Sequence, residues 1–407
     1  MGRRKTDEQT TGRFLAPILV FAAPSLLSLK AMAQPVGDRL QVEPIASVTV
    51  VLAPGFDGTN AADGMVPAQA GLGEISLGAR AEYIFDSGVE LGGRLVWRVQ
   101  RDHPDRPGGT GSPIQGAGDV AGVFSGLSSA GSSGDVGPRG SVESAFIYLR
   151  GGYGEVSAGR DTGVAARFFE GNVDVFTLAR GSDSRLDVSG LNIVRTRADL
   201  TGPSTKITYT TPRILGLRGG VSYTPEANAA GLDRNLAFSA DGVDRPDIAD
   251  AWEVALNASR RFRDSGVRVR AGAGYASASV DRSSPTETLE NRVNVASIGG
   301  EISRGPVAFG ASLLSSNDGS GDGDYTAWSV GAAYEWRDWT GSLNFGRAEA
   351  NLPALDGEAL SAGISREVGK YGTFTFGYQD IRASSSADAG YFSRNRAGLV
   401  IELSLSL

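Results

Sequence analysis

From Leu40 onward the chain is built of short segments in which apolar and polar residues alternate, separated by Gly, Asp, Ser and Pro. A period of two marks amphipathic strands, not helices. In Ile75–Phe85 one face carries Ile75, Leu77, Ala79, Ala81, Tyr83 and Phe85, and the other carries Ser76, Gly78, Arg80, Glu82 and Ile84. Val89–Arg98 repeats the pattern, with Val89, Leu91, Leu95 and Trp97 against Glu90, Gly92, Arg94 and Arg98. Only Asp86-Ser87-Gly88 lies between the two, which predicts a tight hairpin. The alternation continues to the end, where Leu399, Ile401, Leu403, Leu405 and Leu407 share a face and Glu402, Ser404 and Ser406 share the other.

Sixteen strands are predicted, at about 40–52, 72–85, 89–101, 142–150, 155–161, 204–211, 217–224, 251–262, 267–278, 291–303, 306–315, 325–336, 339–349, 358–367, 372–382 and 393–406. Their connections alternate between short turns, such as Asp86–Gly88 and Arg304-Gly305, and longer loops. An even strand number with short turns at one end and long loops at the other is the layout of an all-β, transmembrane antiparallel β-barrel of the bacterial outer membrane. Backbone accounting gives the reason: in hydrocarbon every N–H and C=O needs a partner, so strands can span only as a closed sheet. The apolar face then meets lipid, and the face bearing Arg, Glu, Ser and Gly lines a wet lumen, since so many charges are too costly to bury dry. A soluble β-sandwich would also alternate, with its apolar face turned inward. Aromatics near strand ends and the alternating loop lengths favour the barrel.

The N-terminus fits export. Arg3, Arg4, Lys5 and Arg13 precede an apolar stretch, Phe14–Leu29, and Ala31-Met32-Ala33 supplies a small-x-small cleavage site. Residues 1–33 read as a signal peptide and 34–407 as the mature barrel domain. After Ala33 no stretch approaches the roughly 18 apolar residues a spanning helix needs. The formal charge is −7, and the segment removed holds five basic and two acidic residues, so the mature chain is three charges more acidic. That balance disfavours nucleic acid as a partner. Cysteine is absent and His103 is the only histidine, which removes most histidine-based catalysis and imidazole metal sites. An outer-membrane hydrolase would need a nucleophile beside a base, and His103 has no evident partner in sequence, so no enzyme is expected.

Function is therefore sought in the lumen. Arg80, Arg94 and Arg98 share the wet face of the second and third predicted strands, and Lys206, Arg218, Arg268 and Arg270 have the same parity elsewhere. Rings of charge set which ions pass a pore. Thr162 to about Pro203 has no clear strand and far exceeds ordinary loop length, which points to function or disorder. It holds Phe168, Phe169, Glu170, Asp174, Phe176 and Asp183. Asp318, Asp322 and Asp324 have the oxygen-rich spacing of a calcium loop, but a bidentate Glu is missing at the expected distance, so the segment reads as an outer loop and no cofactor is expected. Gly108–Gly140 is rich in Gly and Ser and shows no phosphate-binding pattern.

Two segments carry a family resemblance. Ala145–Asp161, with a strand, a tight Gly-Gly-Tyr-Gly turn and a strand ending in Gly-Arg, resembles the Gram-negative general porin family. Lys206–Tyr223 resembles that family's Tyr-x-Ser-Pro turn and following strand, with Thr211 in place of Ser. The family usually ends in an aromatic residue, whereas this chain ends in Leu407. The resemblance implies a sixteen-stranded barrel, trimeric, with the third outer loop folded into the pore so that its acids face a basic wall. On that footing Arg80, Arg94 and Arg98 are expected opposite Glu170 and Asp174. It implies a water-filled outer-membrane channel for passive diffusion of small hydrophilic solutes and ions. A substrate-specific channel with a saturable site is the alternative, and an adhesin that binds a partner without conducting is a third class.

Overall fold

The structure is a computed structural model and describes residues 39–56, 71–103, 106, 122–127, 137–227, 232, 247–281, 290–321, 323–385 and 392–407. The segment read as a signal peptide, Asp322 and most of Gly108–Gly140 lie outside the described residues. The sixteen strands are β1 (Leu40–Leu52), β2 (Leu72–Ile84), β3 (Glu90–Arg101), β4 (Arg139–Gly151), β5 (Gly154–Asp161), β6 (Ser204–Thr210), β7 (Leu217–Glu226), β8 (Asp247–Phe262), β9 (Val267–Asp281), β10 (Arg292–Arg304), β11 (Val307–Ser316), β12 (Tyr325–Trp336), β13 (Trp339–Ala350), β14 (Leu355–Val368), β15 (Gly372–Ser385) and β16 (Phe392–Ser406). Among the described residues the single helix is one turn, α1 (Val164–Arg167), and no described helix is long and apolar enough to cross a membrane.

Every strand pairs antiparallel with its chain neighbours, and β1 closes on β16 to make a ring without edges. The seam runs Ser47–Leu52 against Ile401–Ser406. The expected boundaries hold to within a residue or two at most ends. β4, β8 and β14 start three or four residues earlier than the alternation suggested, all at the end that carries the long loops. There the pairing continues beyond the apolar band, where a lipid-facing pattern is no longer required.

The faces sort as membrane barrels demand. Leu95, Ile147 and Leu256 are 57%, 64% and 64% exposed on the outer surface, while Arg98 on the inner surface is 1% exposed. Large apolar side chains outside and charges inside exclude the sandwich. Tyr83, Tyr334 and Trp336 lie outward near the short turns, and Trp97, Trp252, Tyr275 and Trp328 lie outward nearer the long loops, as two interfacial girdles require. An outer groove of about 620 Å³ lined by Leu343, Ile364, Phe376 and Leu399 belongs to this lipid-facing surface.

The inner face is not uniformly wet. The third outer loop, residues 162–203, leaves β5 and turns into the ring. Its Leu191, Ile193 and Leu200 pack with the inward Ala276, Val293, Val295 and Leu314, all nearly inaccessible to solvent. On β8 to β15 the inward positions near the long-loop end are therefore a dry core between loop and wall. Water is left the remainder of the lumen.

Candidate functional site

Small residues on the wall make room for the loop. Gly272 and Gly299 are cross-strand partners on β9 and β10. A Cβ on Gly272 would lie 2.1 Å from the Phe168 carbonyl oxygen, and one on Gly299 2.2 Å from that of Glu170. The loop backbone at 168–170 thus occupies a dent that any side chain would fill.

Polar groups then fix it. The Asn257 side-chain amide donates to the Phe168 carbonyl (3.2 Å) and to Glu170 (3.1 Å). Glu253 accepts the Ala165 N–H at 3.1 Å and the Thr201 hydroxyl at 2.6 Å. Across the ring, buried Glu402 on β16 accepts three successive backbone N–H groups, from Thr177 (2.8 Å), Leu178 (3.1 Å) and Ala179 (3.0 Å). Tyr325 donates its hydroxyl to the Ile193 carbonyl at 2.6 Å and accepts the Arg195 N–H at 2.9 Å. Each wall group satisfies backbone that a buried loop would otherwise leave unpaired.

Between the loop and β9–β10 remains a polar gap of about 490 Å³, lined by Glu170, Asp174, Asp183 and Glu301 and by Arg180, Arg185, Arg197 and Arg270. Arg270 forms a short ion pair with Glu301 and lies 3.8 Å from Glu170. Asp174 accepts the N–H groups of Phe176 and Gly181 and the Ser361 hydroxyl, each at 3.0 Å. Burial pushes its carboxyl above the ordinary value, against the pull of Arg180 and those donors. Asp183 accepts the N–H groups of Thr196 and Arg197 at 2.8 and 2.9 Å and the Thr196 hydroxyl at 2.6 Å.

The expected pairing of loop acids with the β2–β3 arginines is corrected by this geometry. Arg98 is sealed in the wall, bonded to Glu74 (3.2 Å) and Glu143 (3.1 Å). Glu143 is the extra residue of a bulge in β4 opposite Val96/Trp97, and such a bulge re-aims a side chain. Arg80 donates to the Tyr148 hydroxyl (3.2 and 3.1 Å) and pairs closely with Glu82. Arg94 is exposed on the lumen side, directly opposite Arg80 in register. Asp174 borders the gap, but its oxygens are taken by the loop's own backbone and by the Ser361 hydroxyl on β14. Lys206 is buried at the loop's root, donating to the carbonyls of Asp161 (2.6 Å) and Gly202 (2.8 Å) and to the Thr201 hydroxyl (2.9 Å). Arg218 donates to Thr210 and Thr211 and lies over the Phe168 ring. Arg268 and Arg270 border a second cavity of about 420 Å³ nearer the short turns. Of the expected set, the structure brings together only Arg270 and Glu170 as an opposed pair.

Sequence reasoning missed Glu301, Glu402 and the loop arginines. Glu301 and Glu402 were visible as inward-parity acids. The arginines Arg180, Arg185 and Arg197 were overshadowed by the loop's carboxylates. His103 is buried, with its Nε2 3.0 Å from Arg396. Asp318 accepts the N–H groups of Phe124 and Ser125 at 2.7 and 2.8 Å, tying the second outer loop to the sixth.

A closed antiparallel ring, apolar outside, with a charged gap inside it, defines a membrane-spanning β-barrel channel. The sequence matches the family model described as Gram-negative porin over residues 22–386, and the chain belongs to that family. It is an outer-membrane channel for small solutes, and the fold and family are those of channels, not enzymes. Similar solved structures include Salmonella typhi OmpF in complex with daunomycin, with TM-score 0.57 and 12% identity over 91% of this chain and 98% of that one. An anion-selective porin from Comamonas acidovorans has TM-score 0.53 and 12% identity over 90% and 100%. The trimer form of in-vitro folded Vibrio cholerae OmpT has TM-score 0.52 and 12% identity over 91% and 100%. No curated protein matches the chain.

Proposed function

We propose that the chain works as a homotrimer of passive, non-specific pores, exported by a cleaved signal peptide at residues 1–33, with the gap between the third outer loop and β9–β10 setting what passes. The observation that carries this reading is the loop's attachment to opposite sides of the ring, at Glu253 and Glu402, which leaves charged side chains at the opening. Charge of both signs across a narrow wet gap holds water and ions and admits hydrophilic solutes over apolar ones. The constriction then consists of Glu170, Arg180, Arg197, Arg270 and Glu301, with Arg80, Arg94, Arg218 and Arg268 forming the approach. The Vibrio cholerae relative of the same fold has a trimer form, which supports three barrels per particle. Passive diffusion calls for no cofactor.

Planar-bilayer recording tests this. Conductance should appear in steps of three and rise in proportion to KCl concentration over a wide range. Conductance that saturates at low salt would favour the substrate-specific channel, and no conductance at all would remove the pore.

A further inference from the structure

The second outer loop joins β3 to β4, yet its residues 122–127 are fastened to the connection between β11 and β12, eight strands away in a ring of sixteen. The seat lies inside the ring. Val123, Phe124 and Leu127 are buried in one apolar cluster with the inward Tyr325 and with Ile193 of the third outer loop. The Phe124 ring is 5.7 Å from that of Tyr325, and the Arg195 guanidinium lies over it. The segment is also folded on itself: the Gly126 N–H donates to the Gly122 carbonyl at 2.8 Å, and the Gly122 N–H to the Leu127 carbonyl at 2.9 Å.

Asp318 is the clamp. Its backbone carbonyl accepts the Val123 N–H at 3.0 Å, one carboxylate oxygen accepts the Phe124 and Ser125 N–H groups at 2.7 and 2.8 Å, and the other takes the Ser125 hydroxyl. Hydrogen bonds to an ionised acceptor are the strong ones. A Cβ on Gly122 would fall 1.9 Å from that carboxylate, so only glycine fits while the clamp is closed. The fourth outer loop, between β7 and β8, changes sides as well: the Leu232 carbonyl accepts Gln100 of β3 at 3.2 Å and Arg139 of β4 at 3.1 Å. Tyr325 is the first residue of β12, at the long-loop end, whereas Glu301 of the charged gap lies near the short-turn end of β10. The two obstructions are therefore at different depths.

We propose that residues 122–127, positioned by Asp318, form an outer filter in series with the charged gap and set the size limit for solutes entering from the long-loop side. The idea deepens the pore reading above and rests on it. Pore diameter is one of the quantities that decides what a channel admits, and a compact apolar tip seated on the far wall takes cross-section from the mouth before a solute meets Glu170 or Arg270.

The test uses the full-length mature protein in single-channel recordings, with neutral poly(ethylene glycol) of graded size added to one side at a time. An intermediate size should lower the conductance from the short-turn side and leave it unchanged from the long-loop side. The chain has no cysteine, so Ser87→Cys in the β2–β3 turn, tagged with an impermeant thiol reagent, tells which side is which. Asp318→Ala should abolish the side difference and raise the open-channel conductance. Asp318→Asn should keep both as in the wild type, because its amide oxygen still accepts the Phe124 and Ser125 N–H groups. A purely structural role would lower the denaturant midpoint of Asp318→Ala without altering polymer access in its conducting channels, and a side difference that survives there overturns the filter. Equal access from both sides of the wild-type pore, or exclusion from the short-turn side alone, overturns it too while leaving the pore standing, and this arm needs no Asp318 variant to fold. Absence of any conductance in the wild type instead overturns the pore itself.

Discussion

Arginines with the same parity on the same sheet do different work, and depth separates them. Arg98 is buried between Glu74 and Glu143, and Glu74 also meets Arg185 of the third outer loop at 3.2 Å. Removing one partner of a buried ion pair strands the other charge and costs roughly 3–5 kcal/mol. Arg98→Gln should therefore lower the denaturant midpoint of the folded barrel strongly and loosen the loop. Arg94 is exposed and forms no ion pair with the described residues. Arg94→Gln should leave stability within about 0.5 kcal/mol, as exposed substitutions do, and shift the zero-current potential toward cations; no shift would take Arg94 out of the ion path. Alternation told which side of the sheet each arginine occupies. It could not tell depth, because the burial of Arg98 depends on a bulge that supplies Glu143 and on a loop residue more than eighty positions away. The loop acids misled for a related reason. Asp174 and Asp187 each accept the N–H two residues on, a local turn habit of Asp in irregular segments, so these loop carboxylates act as backbone clamps and not as free charges.

At the scale of elements, strands were legible because one period governs them and their apolar face is dictated by lipid. The third outer loop has no period, so its length was visible and its path was not. A trace of the path existed nonetheless. Gly272, Gly274, Gly299, Gly310 and Gly331 are inward-parity glycines on neighbouring strands, and each would place a Cβ within 3.0 Å of a loop atom. A row of missing side chains on an inner wall is a groove waiting for backbone. Gly272→Val should push residues 168–170 off β9 while the β9–β10 ladder, which uses backbone alone, persists. The expected result is a folded barrel with larger and noisier single-channel conductance. An unchanged conductance in a folded variant would mean the loop can settle elsewhere without widening the pore.

For the whole molecule, one boundary condition explains the arrangement: hydrocarbon outside the ring. It requires edge-free closure of β1 on β16, and it reverses the usual placement of apolar and charged side chains. Ile298 tests it cleanly. It lies mid-strand on β10, 57% exposed, with Ala273 and Leu313 as its outward cross-strand neighbours. If water bathed this surface, Ile298→Arg would relieve an exposed apolar group and be neutral or stabilising. In a bilayer the same change places a charge near the midplane, where Arg or Lys costs roughly 2–4 kcal/mol. Ser303, on the inner face near the short turns and bordering the cavity beside Arg268, makes the matching substitution in the lumen, and Ser303→Arg should cost little because water is already there. Reversible unfolding from lipid vesicles, measured for both variants, should show the outer substitution destabilising the barrel and the inner one leaving it near wild type. The opposite ranking would place water on the outer face and lipid nowhere on this protein.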